Sequence, residues 1–343
     1  MADITIRGAG IFGLSVAWAC VKRGASVKII DPNGPASGSS GGIVGALAPH
    51  VPENWNAKKA FQLDSLLMAE NFWDDVDSTG GGQSGYARNG RLQPIADSHA
   101  LTLAYRRADT ARALWLQSAS WEIVPATGAP WEPASPSGWI IRDSLSGLVH
   151  PHRACMALVQ ALAVKGVQVD ADGPDIGQVL WATGVMGLHD MTANHSRAVG
   201  NGVKGQAALL AHDARGLPQL FAGGVHVIPH GDGTVAIGST SEREYTNPHL
   251  TDAQLEDVIS AARTAVPALQ DASVIARWAG ERPRSRSRAP MLGPWPDKFG
   301  HFIANGGFKI GFGMAPKIAE VMADLMLEGR DTIPEGFRVE DNF

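Results

Sequence analysis

The chain has 343 residues, of which 44% are hydrophobic and 18% charged, which is the composition of an ordinary globular protein and excludes a disordered or fibrous one. Its length predicts two closely packed domains, and its formal net charge of −5 argues against a nucleic-acid surface as the main binding site. Two cysteines cannot form a disulfide framework, and no apolar run approaches the ~18 residues of a membrane span. With no signal peptide before the first predicted strand, we expect a cytoplasmic protein.

The first predicted elements are a strand, a glycine turn, a helix, a second strand and an acid. They comprise a strand over residues 4–6, the turn Gly8-Ala9-Gly10-Ile11-Phe12-Gly13, a helix over 14–22, and a strand over 26–30 followed by Asp31 and Pro32. Gly8 permits the sharp turn, Gly10 lets the backbone approach a pyrophosphate, and Gly13 lets the helix pack closely on the sheet. The helix N-terminus favours phosphate, and Asp31 is placed to accept hydrogen bonds from ribose hydroxyls. The pattern predicts a site for an ADP-containing dinucleotide; a glycine-rich turn without a ligand is the alternative.

A segment of small residues follows, over 36–46, and includes Ser37, Gly41, Gly42 and Ile43. Glycine and serine runs are often flexible linkers. This one leads directly into the apolar stretch 43–49, which favours a second interpretation, a nest of backbone N–H groups that faces an anion.

Further along, hydrophobic periodicity predicts alternating helices and strands. The predicted helices cover residues 61–75, 101–118, 149–165, 250–265 (with Thr251 as N-cap) and 315–327. The predicted strands cover 86–95, 138–142, 167–169, 179–184 (ending in Ala182-Thr183-Gly184), 225–229, 235–238, 275–279 and 301–304.

Four segments, in this order, resemble one family, the FAD-dependent amine oxidases of the D-amino-acid oxidase superfamily, and within it the glycine oxidases and their thiamine-pathway relatives. The segments are Gly8 to Gly13 with Asp31; residues 37–46; Trp181-Ala182-Thr183-Gly184; and Trp278-Ala279-Gly280-Glu281-Arg282-Pro283 together with Asn305-Gly306-Gly307-Phe308-Lys309-Ile310-Gly311. The resemblance covers most of the chain and is weak over residues 73–144.

The resemblance implies a mixed α/β fold with two domains. A Rossmann-like FAD-binding domain of the glutathione-reductase type would comprise residues 1–80, 145–200 and 275–343, and an antiparallel-sheet substrate domain would comprise 81–144 and 201–274. The residues implied in binding non-covalent FAD are Gly8, Gly10, Ile11, Phe12, Gly13, Asp31, Pro32, Ser37, Gly41, Gly42, Ile43, Thr183, Gly184, Gly307, Phe308, Lys309, Ile310 and Gly311.

The implied reaction oxidises the C–N bond of a small amine or amino acid by hydride transfer to flavin N5, with oxygen or a quinone as electron acceptor. Three residues are candidates for catalysis: Arg282 to hold a substrate carboxylate, Lys309 to supply a cation near the substrate or the flavin, and His226 to face the substrate. Each has a structural alternative, respectively a surface arginine, a solvated lysine and a half-buried strand histidine. We expect His230 to be exposed and Trp278 to lie in the core.

The sequence also departs from the family. Residues 170–178 are too few for the small β-meander that usually contacts the adenine side, so no contact from it is transferred. Gly307 and Lys309 stand where glycine oxidases show His and Arg, and His226 stands in place of a substrate-contacting tyrosine. Residues 284–293 hold no cysteine and 37–45 no histidine, so we expect dissociable rather than covalent FAD. The spacing around His150 and His152 does not predict a metal site.

Two other functions remain open. One is a flavin-dependent oxidase that acts on the carboxymethylamino group of a modified tRNA wobble uridine, because that enzyme shares the Ser37-Gly38 and Gly45-Ala46-Leu47-Ala48-Pro49 pattern. The overall negative charge makes a nucleic-acid partner the weaker expectation. The other is a flavin-binding protein without turnover, which the altered pocket residues suggest.

Overall fold

The computed structural model describes residues 3–343 and contains, within them, seven α-helices and sixteen strands. The helices are α1 (Ile11–Lys22), α2 (Ala57–Gly80), α3 (Ser98–Trp115), α4 (Pro151–Val164), α5 (Gly184–Ala193), α6 (Gln254–Ala265) and α7 (Gly311–Glu328). The strands are β1 (Ile4–Arg7), β2 (Val27–Ile30), β3 (Ala46–Leu47), β4 (Arg91–Pro94), β5 (Trp121–Pro125), β6 (Trp139–Asp143), β7 (Gly147–Leu148), β8 (Val169–Asp170), β9 (Gln178–Trp181), β10 (Gly200–Ala211), β11 (Gln219–Ala222), β12 (Val225–Pro229), β13 (Thr234–Gly238), β14 (Ser273–Ser285), β15 (Met291–Pro294) and β16 (His301–Asn305).

A six-stranded sheet in the order β15-β16-β9-β1-β2-β8 forms the first layer, and all of its pairs except β15–β16 are parallel. Helix α1 packs against α7 and α4, and α2 packs against α7. Because α1 is covered on several sides, nine of its twelve residues are buried. The carboxyl ends of parallel strands meet at one edge, where ligands of such sheets bind.

An eight-stranded, mostly antiparallel sheet in the order β14-β10-β13-β12-β11-β4-β6-β5 forms the second layer. Its central strands β10, β12 and β13 are buried at most positions, because both faces of the sheet are covered there. One face forms an apolar core with α6, whose buried residues Leu255, Val258, Ile259 and Ala262 recur at helical spacing. On the opposite face, Ile228 and Ala236 pack against Ile43 and Val44 of the small-residue segment. The second sheet therefore faces the predicted cofactor segment.

These two sheets confirm the mixed α/β fold, with one parallel and one antiparallel layer. The division into domains stays a prediction, and its boundary at residue 275 falls inside β14. Strand β10, which spans twelve residues, was not predicted at this length. Helix α6 begins at Gln254 after Ala253, so Thr251 is not its N-cap.

The connection that replaces the β-meander is fixed by side chains of β1. The Arg7 guanidinium donates to the Asp175 carboxylate at 2.7 Å, and the Thr5 hydroxyl donates to the Ile176 carbonyl at 2.8 Å. These bonds hold a short link between β8 and β9 without further strands.

Candidate FAD and substrate site

The glycine turn between β1 and α1 is shaped by close backbone contacts. A Cβ atom on Gly8, whose φ is +108°, would lie 2.4 Å from the Ala182 carbonyl oxygen, and one on Gly13 would lie 1.9 Å from the Gly8 carbonyl oxygen. Both distances are far inside van der Waals contact, so these two positions require glycine for the fold itself. Gly10 is different, because a Cβ there would meet only the Ser40 hydroxyl, at 3.1 Å.

The start of α1 offers unused hydrogen-bond donors. Gly10 is the N-cap without a side-chain cap, and the Ile11 N–H donates to the Ser40 hydroxyl at 3.0 Å. Within residues 3–343, the N–H groups of Gly10, Phe12 and Gly13 donate to no protein acceptor. Free N–H groups at a helix start are suited to a diphosphate.

Asp31 follows β2 and is anchored by the turn. Its two carboxylate oxygens accept from the Ala9 N–H at 2.8 Å and the Asn33 N–H at 3.0 Å. Each oxygen keeps a further lone pair for a ribose hydroxyl. Pro32, the next residue, is exposed. Together with the free N–H groups of α1, Asp31 therefore fits the adenosine diphosphate part of FAD.

The small-residue segment lies between the two sheets. It forms a short 3-10 turn, Ser39–Gly41, and Ser40 ties it to α1 through Ile11. A Cβ on Gly41 would lie 2.4 Å from the Ala36 carbonyl, and one on Gly42 would lie 3.5 Å from the Trp278 indole. Ser37 is exposed, whereas Ile43 packs toward the second sheet. The segment thus runs from the glycine turn to the second sheet, as a path along an extended cofactor requires.

Two further turns reach the same edge of the parallel sheet. Thr183 precedes α5, and the Gly184 carbonyl accepts from the Asn305 amide at 2.8 Å. The turn before α7 approaches α1, because a Cβ on Gly307 would lie 2.7 Å from the Phe12 ring. Helix α7 then starts at Gly311 after Ile310 without a side-chain cap, which leaves its positive end free for an electron-rich group.

Arg282 lies on β14, on the face of the second sheet that is turned toward the small-residue segment. It is buried, and its guanidinium donates to the Ser239 hydroxyl at 2.6 Å and the Thr240 carbonyl at 3.3 Å. It packs over Gly205, where a Cβ would lie 2.1 Å from both Nη atoms. Burial lowers the pKa of Arg282 to about 10, while the charge of Glu242 opposes the shift.

No carboxylate within residues 3–343 forms an ion pair with Arg282. Glu242 is bound elsewhere, by the Lys204 ammonium at 3.3 Å and the Gln206 amide at 2.9 Å. A buried, charged fork without a carboxylate partner is suited to bind one from a ligand.

His226 and Trp278 belong to one row across the sheet. His226 pairs with Gly238, Gly238 with Ala207, and Ala207 with Trp278, so their side chains share the face of Arg282. The Nδ1 atom of His226 is buried without a hydrogen bond. Burial, followed by the charges of Arg91, Lys309 and Arg282, lowers its pKa to about 4, so the imidazole is neutral at pH 7.

Lys309 is exposed as a residue, but its ammonium is partly shielded. That shielding and the charge of Arg282 lower its pKa. Lys309 follows Phe308, whose N–H donates to the Pro283 carbonyl at 2.9 Å and whose φ is +44°. This bond ties the turn before α7 to the strand that carries Arg282, so the predicted catalytic residues lie on neighbouring segments.

Two expectations were wrong. His230 is buried rather than exposed, because its ring packs 4.6 Å from the ring of His150. Trp278 is half-buried and leans over Gly280, where a Cβ would lie 2.6 Å from its ring, and toward Gly42, so it lies at the site and not in the core. The sequence signal for this placement is the glycines at positions 42, 205 and 280, which leave space for larger side chains. Only the strand pairing shows that Trp278 and Arg282 fill that space.

Among residues 3–343, no three His, Cys, Asp or Glu side chains are grouped closely enough to hold a metal ion. None of the helices in that range is long and apolar enough to cross a membrane. Cys20 and Cys155 are both free and buried, and burial raises each thiol pKa to about 12.

Comparison with known proteins agrees with this geometry. Residues 3–325 match the DAO family, described as FAD dependent oxidoreductase, so the chain belongs to that family of FAD-dependent oxidoreductases. The resemblance seen in the sequence is thereby confirmed, together with FAD as cofactor.

Particular relatives are glycine oxidases. The chain is 37% identical over 132 residues to that of Pseudomonas aeruginosa (38% of this chain, 36% of the relative) and 26% identical over 352 residues to that of Pseudomonas putida (94% of each). A bifunctional ThiO/ThiG protein of Trichormus variabilis also matches, and the match covers 53% of its length. The chain therefore spans about a third of the length of the P. aeruginosa relative and about half of the length of the T. variabilis one.

Solved structures share the fold. Glycine oxidase from Geobacillus kaustophilus superposes with a TM-score of 0.85 at 20% identity over 98% of both chains. Iminodiacetate oxidase from Chelativorans sp. BNC1 gives 0.83 at 19% identity, also over 98% of both chains.

Proposed function

We propose that this protein oxidises the C–N bond of a small, carboxylate-bearing amine or amino acid. The observation that carries the proposal is Arg282, a buried guanidinium without a carboxylate partner among the described residues, on the sheet face that is turned toward the small-residue segment. The glycine oxidase relatives support a glycine-like or N-substituted substrate.

In the proposed binding step, the Arg282 fork holds both oxygens of the substrate carboxylate, because the hydrogen bonds to Ser239 and Thr240 fix its plane. Neutral His226 borders the same space without adding charge. The amine is bound unprotonated, so the residues need only orient the C–H bond.

When bound, FAD would supply a two-electron acceptor for a hydride from the substrate carbon. As the C–H bond breaks, the amine lone pair would form the C=N bond of a protonated imine, which water would convert to a carbonyl compound and a protonated amine or ammonium. Oxygen or a quinone would take the two electrons in the second half of the cycle. We further propose that the FAD is dissociable and that the protein acts in the cytoplasm.

The residues Gly8, Gly10, Gly13 and Asp31 would hold the adenosine diphosphate part of FAD. The segment through Ser37, Gly41, Gly42 and Ile43 would lie along the rest of the cofactor, and the turn from Gly307 to Gly311 would lie near its ring. The start of α7 would stabilise negative charge on the reduced ring.

The test is anaerobic mixing of the FAD-loaded protein with amines and amino acids while the flavin absorbance is followed. Bleaching by a carboxylate-bearing amine supports the proposal. Arg282→Met should retain FAD and lower kcat/KM for that substrate by roughly 10²- to 10³-fold, because a fully desolvated charge pair is lost. A yellow protein that no amine bleaches would instead be a flavin-binding protein without turnover.

A further inference from the structure

Several positive side chains gather near Arg282. Lys309 is close enough for the charge of Arg282 to lower its pKa, Arg284 lies two residues further along β14, and Arg288 and Lys58 lie near Arg284. None of these five side chains forms an ion pair with a carboxylate within residues 3–343, although the chain as a whole is negative. One substrate carboxylate on Arg282 would leave the other four cations unpaired.

Contacts around Phe308 bring these cations together. The guanidinium carbon of Arg284 lies 5.4 Å from the centre of the Phe308 ring, and the ammonium of Lys309 lies 5.9 Å from it. Since the Phe308 N–H is bonded to the Pro283 carbonyl, both cations are held close to the strand segment that carries Arg282. Lys58 is linked to the same group by a hydrogen bond from its ammonium to the Arg288 carbonyl.

The cations repel one another. Partial burial and the charge of Arg282 lower the pKa of Lys309, and partial burial, followed by the charges of Arg284 and Arg288, lowers the pKa of Lys58. The neighbouring acid on β14, Glu281, lies on the other face of the sheet from Arg282 and Arg284, where it accepts a hydrogen bond from the Tyr245 hydroxyl. Like charges that lie together and are partly shielded from water are unfavourable unless an anion binds between them.

We infer that the substrate carries a second carboxylate, which Lys309 and Arg284 bind while Arg282 holds the first. This inference rests on the proposed oxidation of an amine and narrows its substrate to dicarboxylic amines, such as N-carboxymethyl amino acids or acidic D-amino acids. The side chains suit these two roles. A guanidinium fork fixes the carboxylate next to the reacting carbon, and a flexible ammonium accepts a second carboxylate at variable reach.

The experiment compares matched pairs of amines that differ by one carboxylate: N-methylglycine with iminodiacetate, and D-alanine with D-aspartate. Anaerobic flavin reduction gives kcat/KM for each. We expect the dicarboxylic member of at least one pair to be preferred by 10-fold or more, and the preference to fall as salt is raised, because Lys309 is exposed and Arg284 is only half-buried. Equal rates for both members of both pairs would overturn the inference and leave the proposed reaction intact.

Variants locate the second anchor. Lys309→Met and Arg284→Met should reduce the ratio of dicarboxylic to monocarboxylic kcat/KM toward one. The matched control Arg112→Met, on exposed α3, should leave the ratio at the wild-type value. If Lys309 contacts the flavin instead, Lys309→Met would change kcat/KM for both substrates by the same factor, which would contradict the inference.

Two other outcomes are distinguishable. Bleaching by none of the amines would refute the proposed function and this inference together. Bleaching only by a transfer RNA that carries a carboxymethylaminomethyl-uridine, with no small amine active, would keep amine oxidation but overturn the second-carboxylate substrate.

Discussion

Replacing Gly10 with alanine separates cofactor binding from folding. The backbone of Gly10 has φ −83°, which alanine adopts freely, and the added Cβ would meet only the Ser40 hydroxyl, at 3.1 Å. We therefore expect the free energy of unfolding of the FAD-free protein to change by less than about 1 kcal/mol. In the proposed FAD site, the same methyl group would stand where the diphosphate approaches the free N–H groups of α1.

The expected cost in FAD binding follows from the bonds lost. Two charge-assisted hydrogen bonds, weakened rather than abolished, are worth about 2–4 kcal/mol together, which corresponds to roughly 30- to 1,000-fold weaker FAD binding. Titration of the FAD-free protein, followed by quenching of flavin fluorescence, measures the affinity, and urea unfolding measures stability. Gly231→Ala, where a Cβ would meet nothing within 4 Å, is the control.

Gly13→Ala gives the opposite result, since its Cβ would lie 1.9 Å from a backbone oxygen and must push α1 off the sheet. It should destabilise the FAD-free protein by ~3 kcal/mol or more. If Gly10→Ala binds FAD as tightly as wild type, the diphosphate does not lie at this turn and the reasoning fails.

The remaining predictions concern the substrate face, the buried histidine pair and the thiols. Gly205→Ala should displace the Arg282 guanidinium, whose Nη atoms lie 2.1 Å from the added Cβ, so kcat/KM falls by roughly 10-fold or more while bound FAD is retained; unchanged kinetics would show that the guanidinium position does not matter. Burial lowers the pKa of His230 from 6.5 to about 4, so only the unfolded chain binds this proton as pH falls from 6.5 toward 4. Urea unfolding should show wild-type stability falling by on the order of 2 kcal/mol between pH 7 and pH 5 from this group, and His230→Gln should flatten that fall, whereas parallel pH curves would contradict it. Cys20 and Cys155, with thiol pKa values raised to about 12 by burial, should not react with a thiol reagent until the protein unfolds; rapid labelling of the native protein would refute this.

Local signals predicted the first strand, helix and second strand of the chain well. The glycine spacing from Gly8 to Gly13 and the acid at residue 31 follow from contacts within one strand–helix–strand unit, so the sequence alone contains the relevant neighbours. The helices predicted over residues 61–75 and 149–165 lie within α2 and match α4 to within two residues at each end. The spacing of apolar residues is enough to predict such helices, because each one buries a continuous apolar stripe.

The second sheet depends on long-range pairing and was predicted less fully. Strand β10 contains Gly200, Gly202, Lys204 and Gly205, and a run with glycines and a charge does not show the alternation of a half-buried strand. Its polar positions are satisfied only by residues far along the chain, such as Glu242 and Asp252 for the Lys204 ammonium. For the same reason, no sequence pattern shows that His230 packs on His150.

The absence of a carboxylate beside Arg282 is a consequence of how the second sheet is built. Successive residues of β14 alternate between faces, so Glu281 is turned away from Arg282 although it is next to it in sequence. Lys204 is paired with Glu281 across the strands, and on that face it forms an ion pair with Glu242. Gly205, the next residue of β10, lies on the other face, where its missing side chain leaves space for the Arg282 guanidinium. The alternation of the pleat thus places the acids with Lys204 and Tyr245 and leaves the arginine unneutralised. The buried Arg282 guanidinium faces the small-residue segment without an ion-pair partner, so a ligand carboxylate can pair with it, and we infer that binding of the carboxylate next to the reacting carbon originates there.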